Sequence, residues 1–163
     1  MNEYQLRNAM TTYGDTVFRL ALCRMQNTAD AEDVYQDVFL RFMRQETEDW
    51  EREHIRAWLI RTTVNRCNDL HRFRLRRQTL PLDALVELTA PNRELDGGEG
   101  ELWTAVANLP TKLRTVIHLH YAEGYATEEI AKLLDIPAAT VRTRLHRARG
   151  KLKDLLGGMD DER

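Results

Sequence analysis

Positions 138–153, AATVRTRLHRARGKLK, hold six Arg and Lys residues and no acid, with apolar residues threaded between them. The chemistry open to such a surface is phosphate attraction and bidentate pairing of Arg with phosphate or with guanine O6 and N7. A solvated helix face could have the same charge, so the spacing has to decide. Val141, Leu145, Ala148 and Leu152 recur at helical intervals and form one apolar stripe. Ala139, Arg142, Thr143, His146 and Arg147 then lie on the opposite side. Just upstream, Thr127 to Leu134 reads as a short helix with Ile130, Ala131 and Leu134 on one face. A turn follows at DIP, and Pro137 suits the first turn of the next helix. A short helix, a tight turn and a longer helix with a basic outer face make a helix-turn-helix, whose second helix enters the major groove.

Two earlier stretches also have two faces. In DAEDVYQDVFLRFMR, Asp30 is the expected N-cap, and Ala31, Val34, Tyr35, Val38 and Phe42 share the core side. Opposite them fall Asp33, Gln36, Asp37 and Leu40. Solvated acids are the default for such a face, but an apolar anchor ringed by polar groups is also how a partner-binding patch is built. In AWLIRTTVNRCNDLHRFRLRR, residues 57–77, Leu59, Ile60, Thr63, Cys67 and Leu70 turn one way. Arg61, Asn65, Asn68, Asp69, Arg72 and Arg76 turn the other, with Trp58 at the edge of their stripe. Asn among arginines suits base and phosphate contact. Trp58 has two readings of equal weight, core packing and stacking on a base.

Other chemistry is excluded or unsupported. The chain contains no serine, which removes a serine nucleophile. His118 and His120, two residues apart on a helix, face different sides and argue against a metal pair. There is no P-loop or glycine-rich phosphate cradle. The charged residues run along surfaces instead of converging on a pocket, so neither an enzyme nor a cofactor or metal site is expected.

The elements that carry these faces must come from 163 residues with a formal net charge of −2. That near-neutrality is a sum of blocks. Residues 28–51 carry eight acids against two bases, and residues 61–77 carry six Arg against one Asp. Residues 83–101 carry six acids against one Arg. Alternating blocks of this kind imply basic surfaces for one partner and acidic ones for another. Strand-like alternation is absent, so an all-α fold is expected. TLPLDALVELTAPNRELDGGEG, with Pro81, Pro91 and three glycines, reads as a flexible acidic linker over 79–100. It separates helical domains at 1–78 and 101–157, and an acidic tail closes the chain at 158–163. Cys23 and Cys67 lack metal-ligand spacing and read as buried thiols of a reducing compartment. With no apolar run long enough to span a bilayer and no signal-peptide core at MNEYQLRNAM, the expected location is the cytoplasm, without membrane insertion.

Four stretches together resemble bacterial RNA polymerase sigma factors of the extracytoplasmic-function (ECF) type in the sigma-70 family. AEDVYQDVFLRFMR is similar to that family's core-polymerase-binding helix, and HIRAWLIRTTVNRCNDLHRFRLRR to its −10 recognition and melting helices. LPTKLRTVIHLHYAEGYATEEIAKLLDIP is similar to the opening helices of region 4, and AATVRTRLHRAR to the −35 recognition helix. They cover most of both domains, in the family's order. The resemblance implies that Asp33, Gln36, Asp37 and Leu40 bind the clamp helices of the largest polymerase subunit. It implies that Trp58, Arg61, Asn65, Asp69 and Arg72 handle the −10 element, with the loop EDWEREH helping to hold a flipped-out base. Ala139, Arg142, Thr143, His146 and Arg147 would serve the −35 element. Core RNA polymerase, promoter DNA and an anti-sigma factor are the implied partners of a protein that is a monomer when free. The family usually has Gly at Ala139, Ser at Thr143 and a capping Ser at Ala126, where Thr127 is expected to cap instead. Two other readings stand beside this one: an operator-binding regulator, expected to be a dimer, and a helical adaptor that binds only proteins.

Overall fold

Helix α1, Glu3–Met25, starts where Asn2 Oδ1 accepts the Gln5 N–H at 2.8 Å and Gln5 Oε1 accepts the Asn2 N–H at 3.1 Å. This reciprocal pair satisfies two donors that the first turn leaves without partners. The computed structural model describes residues 1–77 and 100–160, with side chains to 157. These residues form seven α-helices and one π-helical turn, in two compact units that divide near residue 90. The expected linker lies outside the described residues except for Gly100.

In the first unit α1 ends at Gln26, whose left-handed φ of 56° lets its N–H reach Leu22 O at 2.8 Å. Helix α2, Thr28–Met43, is capped by Asn27 and not by Asp30. Asn27 is extended, which gives its side-chain oxygen the reach to accept the Asp30 N–H at 3.0 Å. Asp30 therefore sits inside the first turn, and its carboxylate accepts a hydrogen bond from Arg74 on α3, Arg52–Arg77.

The three helices pack on one another around Val17, Ala21, Met25, Val34, Val38, Phe42, Leu59 and Cys67. Phe39 is buried as well, with its ring centroid 4.9 Å from that of the half-buried Tyr35. Gly14 lets that tyrosine in: a Cβ there would stand 3.0 Å from the Tyr35 hydroxyl oxygen. Arg24 is the costly element of this interior. Burial pushes the pKa of its guanidinium down, with Cys67 and Cys23 pulling it partly back up, and it donates to Asn68 Oδ1. Asn68 thus bonds across to α1 and does not join the outward stripe.

In the second unit α4, Gly100–Ala107, α5, Thr111–Ile117, and α6, Thr127–Leu134, all pack on α7, Ala138–Asp160. Val116, Leu119, Ile130, Val141, Leu145 and Ala148 fill the contact. A π-helical turn at His118–Ala122 follows α5. The Glu123 N–H reaches His118 O at 3.1 Å, His118 Nε2 lies 2.8 Å from Glu123 Oε2 in the interior, and His120 Nδ1 lies 2.8 Å from Tyr125 O. Gly124, at φ 78°, turns the chain toward α6.

Helix α6 has the expected limits, but Thr127 does not cap it. Ala126 occupies the cap position without a side-chain acceptor, and Glu129 Oε1 reaches back to the Ala126 N–H at 2.9 Å. Leu133, not Leu134, is the buried leucine of this helix. Asp135 adopts φ 56° and the Ile136 N–H returns to Ala131 O at 3.0 Å, closing α6 tightly enough to form the turn. Pro137 O then accepts the first N–H groups of α7, from Thr140 at 3.0 Å and Val141 at 3.2 Å. Helix α7 continues to Asp160, through residues read from sequence as tail, because Gly157 does not take the left-handed conformation that would stop it.

Candidate functional site

Three surfaces carry the expected residues. On α7, Val141, Leu145 and Ala148 are buried, and Ala139, Arg142, Thr143, His146 and Arg147 are all exposed. The burial of one stripe determines the exposure of the other, since the helix has only one apolar side to give to α4, α5 and α6. Thr143 Oγ1 donates to Ala139 O at 3.0 Å, so its hydroxyl faces a partner with its lone pairs. Ala139 adds only a methyl group, which permits close approach of a groove wall or contact with a thymine methyl.

On α2, Asp33, Gln36 and Leu40 are exposed, Leu40 at 53%. Asp37 is half-buried: Arg66 Nε of α3 lies 2.8 Å from its Oδ2, and Arg41 Nε lies 3.1 Å from the same oxygen. Met43, 42% exposed, was not singled out in the sequence. It stands three residues beyond Leu40 and seven beyond Gln36, on the same face, and doubles the apolar part of the patch.

On α3, Arg61, Asn65 and Arg72 are exposed and Asp69 is half-buried, its carboxylate accepting a hydrogen bond from Arg72. That pairing holds one of the stripe's cations along the helix. Trp58 is half-buried against the core, its ring centroid 5.6 Å from Phe42 and 6.1 Å from Trp50. Packing is therefore its role in this structure, with one edge left at the surface. Trp50, from the loop expected to hold a base, also packs inward, and His54 stacks on it at 4.0 Å. Of the stretch expected as a loop, Glu48, Asp49 and Glu51 are exposed before α3, and Arg52, Glu53 and His54 are exposed in the first turn of α3 itself.

The surfaces are extended arrays of donors, cations and apolar side chains, suited to binding polymers. Among the described residues there is no group of three or more His, Cys, Asp or Glu placed to hold a metal ion. His118 and His120 each face a protein partner instead. The Cys67 thiol is pushed up from 9.0 to about 12, chiefly by burial, with Arg24 pulling it back in part. It therefore stays protonated and unreactive at neutral pH.

Comparison with known proteins gives these surfaces a context. Residues 9–79 match the family described as Sigma-70 region 2, and residues 99–152 match Sigma-70, region 4. The ECF RNA polymerase sigma factor SigW of Bacillus subtilis is 30% identical over 161 residues, covering 88% of this chain and 84% of that protein. The chain belongs to the ECF sigma factors. The ECF sigma factor SigE of Mycolicibacterium smegmatis is 35% identical over 157 residues, 92% of this chain, which spans 61% of that relative's length. The fold of this ECF sigma factor is also that of RpoE from Bartonella quintana, solved with the anti-sigma factor NepR. That match has a TM-score of 0.73 at 19% identity and covers 94% and 97% of the two chains. CnrH, solved with the cytosolic domain of CnrY, matches with a TM-score of 0.67 at 26% identity, covering 96% and 90%. In family terms, α2 and α3 lie in region 2, and the helix-turn-helix α6–α7 lies in region 4.

Proposed function

We propose that this chain is a dissociable sigma subunit that binds core RNA polymerase and directs it to promoters carrying −10 and −35 elements. The observation that carries the reading is the exposed basic face of α7 in a region 4 match, on the same chain as a region 2 match. Asp33, Gln36, Asp37 and Leu40, extended by Met43, bind the clamp helices of the largest polymerase subunit. Leu40 and Met43 are its apolar anchors and the polar residues its rim. Arg61, Asn65, Asp69 and Arg72 contact the −10 element, and the exposed edge of Trp58 borders the melted strand. Arg142, Thr143, His146 and Arg147 contact the −35 element, with Ala139 at the groove wall. The domains that divide this work are 1–78 and 101–157, joined by the 79–100 linker. Bond-making in RNA synthesis stays with the polymerase.

An anti-sigma factor belongs among the partners, supported by the RpoE neighbour, which was solved with the anti-sigma factor NepR. No helix among the described residues is long and apolar enough to cross a membrane. Activity on polymerase puts the chain in the cytoplasm, as a monomer when free. The test is run-off transcription with core polymerase, with and without this protein, on promoter fragments from its own genome. Discrete start sites that depend on the protein are expected. No transcripts, together with failure to co-elute with core and a dimeric native mass, would replace this reading with an operator-binding regulator.

A further inference from the structure

The α7 face does not stop at Arg147. Arg149 is exposed, and its Nε donates to the Tyr121 hydroxyl oxygen at 2.8 Å, with its guanidinium carbon 5.6 Å from the Tyr121 ring centroid. Tyr121 is 61% exposed and belongs to the π-helical turn. Long arginines on a helix surface ordinarily sample many rotamers, and fixing one costs entropy. Here an aromatic ring and a hydroxyl from another element hold the side chain in one pose, yet both partners face solvent. A bond through Nε engages one edge of the guanidinium and leaves its Nη1–Nη2 end for a second partner.

The position of Arg149 indicates what that partner is. Arg142, His146, Arg149 and Lys153 follow one another at intervals of four, three and four and are all exposed. At 3.6 residues per turn they fall within roughly 60° of arc, a single stripe. From Arg142 to Arg149 the helix rises about 10 Å, close to the ~12 Å width of the major groove. With Arg142 over base edges, Arg149 reaches the phosphates of the groove wall.

We propose that Arg149 is a DNA phosphate contact of the −35 interface and that Tyr121 is its positioning residue, the π-helical turn being what brings the tyrosine to α7. This rests on the −35 reading of α7. Tyr121 would act before binding: by holding the guanidinium extended it removes part of the ordering cost of the contact. The turn is itself fastened, by the His118–Glu123 and His120–Tyr125 contacts. A π-helical insertion, common at functional sites, here has a specific output.

The experiment is promoter binding by holoenzyme, assembled from core polymerase and the full chain, measured across a salt series. The templates are a promoter with its −35 element and one with that element substituted at a single base pair. Arg149→Ala is expected to weaken binding several-fold on both templates alike, and to lower the steepness of the salt dependence by about 0.9, one phosphate's share. Tyr121→Phe keeps the ring and removes the bond; it is expected to cost roughly two- to tenfold in wild type. In the Arg149→Ala background it should cost nothing. Core affinity and melting temperature should not move in either variant. If Arg149→Ala leaves the salt dependence unchanged while Arg142→Ala weakens binding, the phosphate contact is wrong and the −35 reading stands. If neither arginine matters, the −35 reading itself has failed. If Tyr121→Phe costs the same in both backgrounds, Tyr121 supports the fold and does not position Arg149.

Discussion

The Asp37 carboxylate of α2 meets Arg66 Nε of α3 at 2.8 Å and Arg41 Nε of its own helix at 3.1 Å. The acid at the centre of the proposed polymerase face is therefore already paired within the fold. It offers a partner a fixed acceptor in a network, where a loose surface acid would supply only a steering charge. Replacing Asp37 by Arg would set a third guanidinium beside two others and confuse loss of binding with loss of packing. Such a half-exposed pair contributes about 1 kcal/mol or less, so Asp37→Asn is expected to fold normally and to weaken core binding in part.

Leu40 gives the cleaner test of that face. It is half exposed and lies outside the core cluster. Leu40→Asp is expected to change stability by no more than about 0.5 kcal/mol. Core affinity should fall by about tenfold or more, as for a central apolar anchor. Competition for core polymerase against wild-type protein, alongside a thermal melt, reads both. Undiminished affinity would remove Leu40 from the interface.

Cys67 predicts an alkaline weakness. Its folded-state thiol is raised from 9.0 to about 12 by burial. The folded state therefore keeps a proton that the unfolded chain gives up above about pH 9. The stabilisation is full below that pH and is lost as pH rises from about 9 toward 12. Denaturant midpoints across this range should fall more steeply for wild type than for Cys67→Ala, and identical slopes would contradict the assignment. Near neutral pH Cys67 should also resist thiol reagents until the protein unfolds.

Glu123 is the fourth test. Its carboxylate is almost fully buried against His118 at the π-helical turn. Glu123→Ala leaves His118 Nε2 without that partner, and the expected loss is about 1–3 kcal/mol, the cost of a buried polar group stripped of its contact. Glu123→Gln keeps an oxygen opposite His118 Nε2 and should lose less. Because the pair fastens the turn that carries Tyr121, Glu123→Gln should also reduce promoter affinity without reducing core affinity. Equal stability of both variants and wild type would show that the pair does not hold the turn.

For the proposed −35 face, Arg147→Ala and Arg142→Ala are expected to weaken transcription from a −35-dependent promoter at limiting protein. Loss of a base contact should cost about 1–3 kcal/mol and relax preference at one position, whereas a phosphate contact lowers binding on all templates. Transcription on a panel of −35 variants separates the two roles. Unchanged activity for either variant would take that arginine off the DNA-contact face.

Much of the fold was legible in the sequence because local periodicity decides which side of a helix is apolar. Val141, Leu145 and Ala148 could only go inward, and Arg142, His146 and Arg147 were exposed as a consequence. The acidic α2 face and the basic α3 stripe follow from the same rule. The helix-turn-helix limits were readable too, because Pro137 and the DIP turn mark the chain locally.

The positions that the tertiary structure decided lie at the edges of those stripes or depend on partners distant in sequence. Phe39 is buried because Tyr35 and Phe42 enclose it, and Leu133 displaces Leu134 because α7 is the neighbour. Asp30 gave up its expected capping role to meet Arg74, and Asn68 left its stripe to meet Arg24, each pair 44 positions apart. Asp37 found Arg66, and Arg149 found Tyr121 through a π-helical turn that reads from sequence as ordinary helix. Periodicity along one helix fixes a direction in space, but only the packing of other helices determines what stands there to be met.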